Sequence, residues 1–278
     1  MTAAAGLSRE RLERANPEWA GWLALVDEAR RTLVDPAWAP ALRAGGAAPP
    51  APFLADAVLE VDEAMARQAL RRLAAIAAKS PGPAASLAIA AQDRDLDALG
   101  VLEAAVRDDR GALETWATRL DAAAEALGAI AALAATPLLH ACWRAWGGQR
   151  PEPWVEGYCP LCGAWPILAE VRGLEQSRRL RCGRCSADWH GAWLRCVFCG
   201  NGDHARLGSL VLDAGAAKVE TCETCRGYLK SMTTLMPTPA GDLALADLAT
   251  VELDVAAVEQ GYTRPAAAWP LHTRLIAR

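Results

Sequence analysis

Eight of the nine cysteines fall into four C-x-x-C pairs, Cys159/Cys162, Cys182/Cys185, Cys196/Cys199 and Cys222/Cys225, and nothing else in the sequence constrains the fold as strongly. The spacers between successive pairs hold 19, 10 and 22 residues. Two intervening residues let the backbone turn back, so both sulfurs face one ion at about 2.3 Å while nearby amides hydrogen-bond to them. Gly163 and Gly200 follow the second cysteine of their pairs and supply the positive-φ freedom such a turn favours. The two longer spacers suit β-hairpins that carry one pair to another, and the 10-residue spacer reads as the junction between two ribbons. The expected sites are Cys159, Cys162, Cys182 and Cys185 for the first, and Cys196, Cys199, Cys222 and Cys225 for the second.

A single C-x-x-C would suit a dithiol redox pair equally well, but four at ribbon spacing point to tetrathiolate metal binding. A nested pairing, first with fourth and second with third, occurs in co-chaperone zinc domains that carry C-x-x-C-x-G-x-G repeats. Here only glycines at single positions appear, so sequential pairing is preferred. Four thiolates suit tetrahedral zinc or a rubredoxin-type iron, and the donor set leaves both open. Around a divalent ion each site carries a formal double negative charge. Arg172, Arg178, Arg179, Arg181, Arg184 and Arg195 lie near enough in sequence to offset it, or to form an ordinary solvated ribbon face. Trp165, Trp189 and Trp193 are expected to pack over the sites, because a small ribbon has little other core. Cys142, unpaired on an apolar stretch, reads as a small core residue. With the ligand count filled, His190 and His204 read as surface or hydrogen-bonding residues. Asp213, Lys218 and Glu220 form either a partner surface or a solvated hairpin.

Hydrophobic residues make up 53% of the 278 and charged residues 22%, a globular balance. Alanine is concentrated before residue 146, which leans that half toward helix. Asn16-Pro17 is a helix start, followed by Trp19, Trp22, Leu23, Val26 and Leu33 at helical spacing until Pro36. A Gly/Pro/Ala-rich loop from Ala39 to Pro52 precedes a helix carrying Val58, Val61, Met65, Leu73 and Ile76 on one face, stopped at Ser80-Pro81-Gly82-Pro83. Further helices are expected at 84–91, 95–107, 112–128 and 129–146, with Pro137 kinking or breaking the last pair. Residues 147–153 read as a linker. Beyond it come β-prone runs at Trp165–Val171, Trp189–Leu194 and Leu207–Leu212, a helix from Asp242 to Gln260, and an irregular tail.

The net charge is -4, and no run of five or six like charges appears, so nucleic-acid binding is not expected. Charged residues from Arg9 to Arg14 follow the small apolar start without a hydrophobic core segment, which reads as no secretory signal and a cytoplasmic protein. The longest uncharged stretch, Ala126 to Trp143, spans 18 residues and reads as a buried bundle helix, so no membrane insertion is expected. In a reducing compartment abundant cysteine points to metal or redox chemistry and not to structural disulfides. No Ser-His-Asp set, P-loop or Gly-rich dinucleotide fingerprint is found, so the expectation is a non-enzyme.

The cysteine region resembles the formate dehydrogenase accessory (FdhE-type) proteins. The likeness rests on Tyr158-Cys159-Pro160-Leu161-Cys162-Gly163, Leu180-Arg181-Cys182 through Cys185, Asp188-Trp189-His190 and Arg195-Cys196 through Cys199. It continues in Ser209-Leu210, Leu212-Asp213, Ala217-Lys218-Val219-Glu220-Thr221-Cys222 through Cys225, and Gly227-Tyr228-Leu229-Lys230. Asp247-Leu248-Ala249-Thr250 and Glu259-Gln260-Gly261-Tyr262 complete it, so it covers about residues 151–264, while the helical half matches only in length and texture. Arg226 departs from the pattern, standing where the family tends to place glycine directly after the pair, and the tail after Gly261 drifts.

What the resemblance implies is a cytoplasmic maturation factor that binds the catalytic subunit of a respiratory, molybdenum-dependent formate dehydrogenase before export and is needed for its activity. It also implies rubredoxin-like double sites able to hold iron, which favours two iron ions, with zinc as the alternative. The expected fold is α+β: an N-terminal α-helical bundle, two tandem rubredoxin-like/zinc-ribbon metal modules and a C-terminal helix. The expected divisions are residues 1–150, 151–194, 195–235 and 236–278. Two closed sites suit structure or one-electron redox, not hydrolysis. The alternatives are a rubredoxin-like electron-transfer protein and, less favoured by the acidic balance, a zinc-ribbon nucleic-acid binder. Self-association is compatible with the sequence and not specified by it.

Overall fold

A computed structural model of the chain describes residues 8–48, 50–93, 96–149, 154–212, 217–265 and 269–278. Most of the linker reading (Arg150 to Pro153) and Asp213 lie outside the described residues.

The N-terminal half is helical, as its alanine content dictates. α1 (Arg9–Ala15) is capped by Ser8, whose hydroxyl accepts the Arg11 N–H at 3.2 Å. A 3-10 turn at Pro17–Trp19 leads into α2 (Ala20–Thr32). α3 (Glu63–Ala77), α5 (Ala98–Arg107) and α6 (Arg110–Arg119) begin on Asp62, Asp97 and Asp109, each accepting a backbone N–H of the first turn. Between α3 and α5 lies the short α4 (Ala88–Gln92), and α7 (Ala124–Trp146) is the central helix, packed against α2, α3, α5 and α6.

Two expectations fail here. The break foreseen within 112–146 falls at 120–123, where Asp121 takes φ 48°, and not at Pro137, which stays inside α7. Ile130, Ala131, Ala134, Leu138 and Leu139 are buried on both sides of the proline, and that packing outweighs the roughly 3 kcal/mol cost of a mid-helix proline. Val58 and Val61 lie on a strand, not a helix. β2 (Val58–Val61) pairs antiparallel with β1 (Ala41–Ala44), inside the expected loop, and parallel with β9 (Arg274–Ala277), inside the expected irregular tail. β9 therefore belongs to the sheet of the N-terminal half.

α7 with its following turn, Ala124–Gln149, is the one helix among the described residues long and apolar enough to cross a membrane, and 56% of its most apolar window is buried inside the fold.

The cysteine-bearing half is a single six-stranded sheet. β3 (Pro166–Arg172), β4 (Ser177–Cys182) and β5 (Asp188–His190) form an antiparallel ribbon, as do β6 (Leu207–Leu210), β7 (Ala217–Cys222) and β8 (Tyr228–Thr234). The ribbons join through a parallel pairing of β3 with β8, Leu168 opposite Lys230 and Arg172 opposite Thr234, giving the order β5-β4-β3-β8-β7-β6. The expected C-terminal helix is two, α8 (Leu243–Leu248) and α9 (Val251–Glu259), interrupted at Ala249-Thr250. Thr250 turns its hydroxyl back to the Ala246 and Asp247 carbonyls, the local competition that shortens helices at threonine.

The central strands are pinned by buried charge. Glu170 of β3, 0% exposed, receives the Arg181 and Arg172 guanidinium groups and the Thr238 N–H. Lys230 of β8, 3% exposed, meets Asp247 at 2.7 Å and Asp254 at 2.6 Å, tying the sheet to α8 and α9. Leu245 of α8 packs with Leu23 and Val26 of α2, so the last helices also reach back to the bundle.

Candidate metal centres

All four C-x-x-C pairs close in the same way. In each, the first cysteine donates its N–H to the carbonyl five residues on: Cys159 to Ala164 at 2.8 Å, Cys182 to Ala187 at 3.0 Å, Cys196 to Asn201 at 2.8 Å and Cys222 to Gly227 at 3.0 Å. The residue after the second cysteine has positive φ every time: Gly163 (67°), Ser186 (61°), Gly200 (73°) and Arg226 (56°). The two glycines match expectation. Ser186 and Arg226 occupy the left-handed region at a cost glycine would not meet. Arg226 offsets it with its side chain, which donates to the Gln260 and Gly261 carbonyls, pairs with Glu223 and lies 4.0 Å from the Tyr262 ring centre.

The turns bring the sulfurs together in sequential pairs. Cys159, Cys162, Cys182 and Cys185 form one group and Cys196, Cys199, Cys222 and Cys225 the other, the sulfurs of each lying within 4.8 Å of one another. In the first, Cys159–Cys185 and Cys162–Cys182 are 3.5 Å apart and Cys162–Cys185 3.8 Å. In the second, Cys196–Cys225 is 3.7 Å and Cys199–Cys222 3.8 Å. A tetrahedral ion at about 2.3 Å from each thiolate requires sulfurs about 3.8 Å apart, whereas a disulfide requires about 2.05 Å. Every one of these cysteines is free. The donor set and its spacing thus fit a four-coordinate zinc or iron ion, and either group could hold one.

The groups differ in setting. Those of the first are each at most 1% exposed and belong to the same core cluster as the helices of the N-terminal half. Three contacts from that half clamp them. Phe53 and Leu54 donate their N–H groups to the Pro160 and Leu161 carbonyls at 2.9 and 3.0 Å. Arg184 reaches the Ala105 and Val106 carbonyls at the end of α5, at 2.6 and 2.8 Å. His140 of α7 sits 3.2 Å from the Cys185 carbonyl, and burial holds its imidazole pKa down. In the second group Cys199 is exposed and Cys225 half-exposed. Its sheet packs on a much smaller cluster of Val219, Tyr228, Leu253, Ala257 and Tyr262.

Backbone amides, not arginines, face the sulfurs. The Arg184 N–H points at Cys182 Sγ at 3.4 Å. Burial opposes ionisation of Cys222, yet the N–H groups of Cys225 and Thr224, with the Cys196 and Cys199 thiols, outweigh it and lower its pKa to about 7. Burial raises Cys159 and Cys185 well above an ordinary thiol. The arginines expected to neutralise the sites serve elsewhere: Arg172 and Arg179 meet Asp188, Arg178 meets Glu220, and Arg195 reaches the Gly200 carbonyl.

Trp189 is fully buried, whereas Trp193 is exposed, so only part of the expected tryptophan cover exists. His190 and His204 are on the surface and Cys142 is buried in the core, as read from sequence. Sequence reasoning missed His140 and Asn201, and it missed an aromatic row running between the two groups. In that row Trp154, Tyr158, Trp165 and Phe198 have successive ring centres 5.7, 6.2 and 5.2 Å apart. Only Asn201 carries a local signal, its place five residues after Cys196.

Residues 194–271 match the family described as FdhE, C-terminal domain. That stretch of the chain is similar to the C-terminal domain of FdhE proteins. An FdhE homologue of Stutzerimonas stutzeri is 37% identical over 113 residues, 39% of this chain and 36% of that protein. The Escherichia coli FdhE protein is 34% identical over 109 residues, 38% of this chain and 35% of its own length. A homologue from Aquifex aeolicus is 32% identical over 120 residues, 41% of each chain. These alignments span well under half the length of the curated relatives. The crystal structure of the FdhE protein from Pseudomonas aeruginosa superposes with a TM-score of 0.56 at 23% identity, covering 96% of this chain and 94% of that one. That likeness concerns the fold, and it extends through the helical half.

Proposed function

We propose that this chain is a cytoplasmic formate dehydrogenase accessory factor that binds the catalytic subunit of a respiratory formate dehydrogenase during maturation. In this reading each four-cysteine group closes around one metal ion, iron in preference to zinc, and the chain itself catalyses no turnover. The observation that carries it is the pair of free four-sulfur groups at tetrahedral spacing, the second of them inside the stretch that matches the FdhE C-terminal domain. Held by four thiolates, such an ion would be coordinatively closed: it would organise its ribbon and, if iron, could take up or release one electron. The burial of α7 in the core supports a chain that does not insert in membranes.

The test is co-purification from cells making a respiratory formate dehydrogenase, with metal analysis of anaerobically purified chain. Recovery of the catalytic subunit and about two metal equivalents is expected. Absence of the subunit from every such preparation defeats the binding role. Fewer than two equivalents in folded protein defeats the assignment of Cys159, Cys162, Cys182, Cys185, Cys196, Cys199, Cys222 and Cys225 as ligands.

The exposure of Cys199 favours a second reading, one-electron transfer at the second group, because an exposed ligand sulfur shortens the path to a redox partner. Reversible bleaching of a rubredoxin-like visible spectrum would support it, and colourless, zinc-only protein would oppose it.

A further inference from the structure

The larger cleft beside the sulfurs has a volume of about 500 Å³ and lies between the segments that flank the first ribbon's first turn, Trp154 to Tyr158 and Trp165, and the Cys196–Gly200 turn of the second. Its walls include the aromatic row Trp154, Tyr158, Trp165 and Phe198, and Cys196 and Cys199 line it directly. A second cavity of about 270 Å³ is lined by Cys196 and Cys222 together with the exposed Trp193 and Leu194. Neither cavity is lined by a cysteine of the first group. Three of the second group's four cysteines line one cavity or the other; Cys196 and Cys222 are buried, and Cys199 is exposed.

Ligand exchange at a closed tetrahedral ion needs an associative route: an incoming donor must reach the metal before a bound one leaves. Only a donor as soft as the one it replaces competes with thiolate at such an ion. The cleft offers that route at one group and not at the other. Arg195, exposed on the cleft wall and donating to the Gly200 carbonyl, adds positive charge to that wall, which favours entry of an anionic donor.

Building on the reading that both groups hold metal, we propose that the second group is an exchange centre at which an incoming thiolate, entering by the aromatic cleft, replaces Cys199 as metal ligand. The first group keeps its metal throughout. In the step, the incoming thiol gives up its proton and its sulfur bonds to the metal. The Cys199–metal bond breaks, and Cys199 Sγ takes up a proton, so charge and oxidation state are unchanged. The ligand class is a cysteine thiol, carried on a small molecule or on a partner polypeptide.

The test uses the full chain loaded with two equivalents of zinc. It is mixed with excess glutathione and a chromogenic zinc chelator, and sampled over time with iodoacetamide for peptide mass spectrometry. Two kinetic phases are expected. One equivalent leaves quickly, with Cys199 carboxamidomethylated first, while Cys159, Cys162, Cys182 and Cys185 stay unlabelled until the slow phase. Ala192→Trp, which places a ring at the exposed rim of the cleft, should slow only the fast phase. Release of both equivalents in a single phase overturns the proposal, as does earlier labelling of the first group or a fast phase unaffected by Ala192→Trp. Failure to load two equivalents would instead sink the metal assignment itself, and this inference with it.

Discussion

The two sulfur groups are near copies in local geometry and opposites in environment. Both are made of paired turns closed by the same hydrogen bond, with sulfurs 3.5–3.8 Å apart. Yet the first is walled in by α5, α7 and the Phe53-Leu54 segment, and the second stands at the far ribbon with Cys199 in the open. Coordination chemistry therefore does not distinguish them; what each is built into does. A group embedded in the main core couples metal binding to folding of the whole chain, whereas one on a peripheral ribbon couples it only to that ribbon.

The largest expected effect tests this contrast directly. Structural tetrathiolate sites contribute about 10–16 kcal/mol of apparent binding energy that is also folding energy. Cys159→Ser should lose one metal equivalent and with it the cooperative thermal transition of the helices, followed by far-ultraviolet circular dichroism. Cys222→Ser should lose one equivalent while the helical transition persists. Equal collapse in both variants, or an unchanged helical transition in Cys159→Ser, would break the comparison.

The grouping of the sulfurs was the most legible part of this chain, because such a turn is encoded within six residues: two cysteines, a residue able to take positive φ, and a closing carbonyl. Even there Ser186 and Arg226 carry no signal for the conformation they adopt, since neighbours such as Glu223, Gln260 and Tyr262 enforce it for Arg226. The rest of the architecture is non-local. Val58 and Val61 are three apart, which suits one helix face, and only pairing with β1 on one side and the returning tail on the other, with Leu275 opposite Leu59, makes that segment a strand. Nor does anything near Leu168 announce that it pairs with Lys230, the register that merges two expected modules into one sheet. The arginines were placed by sequence proximity to cysteine, but their partners Glu170, Asp188 and Glu220 were set by strand register.

Buried charge offers the next contrast between the ribbons. Glu170 is the only carboxylate facing Arg181 in the ion pairs described, and Arg181 is 4% exposed, so Glu170→Ala strands a buried guanidinium. The expected loss is about 3–5 kcal/mol by denaturant titration. Lys230 has two carboxylates, so Asp247→Asn leaves Asp254 in place and should cost less, about 1–3 kcal/mol. A larger loss for Asp247→Asn would reverse the ranking of the two strands.

Arg226 sharpens the comparison at the level of one turn, because three of the four turns tolerate a small residue where this one has arginine. Arg226→Gly removes left-handed strain and also the contacts to Glu223, Gln260, Gly261 and Tyr262, opposing changes that should leave stability within about 1 kcal/mol. Arg226→Val keeps the strain without the contacts and should cost about 1–3 kcal/mol. If both variants behaved alike, backbone conformation would not be what the fourth turn selects for.

The smallest effect expected is a pH dependence confined to the second ribbon. Burial pushes the Asp254 carboxyl up, but Lys230, Arg264 and the Tyr228 hydroxyl outweigh it and hold its pKa below the usual carboxylate range. A carboxylate whose folded pKa is depressed adds stability that is fully present above its unfolded value, about 4, and lost as pH falls through the folded value. Thiolates of a metal-loaded chain also protonate in acid, so the difference between wild type and Asp254→Asn carries the information, not either slope alone. Asp254 is only half buried, which keeps the expected difference modest. Denaturation midpoints should favour the wild type from pH 7 down to about 4 and converge with those of the variant below that. A gap that stays constant into the acid range would mean that Asp254 holds Lys230 and Arg264 by hydrogen-bond geometry and not by its charge.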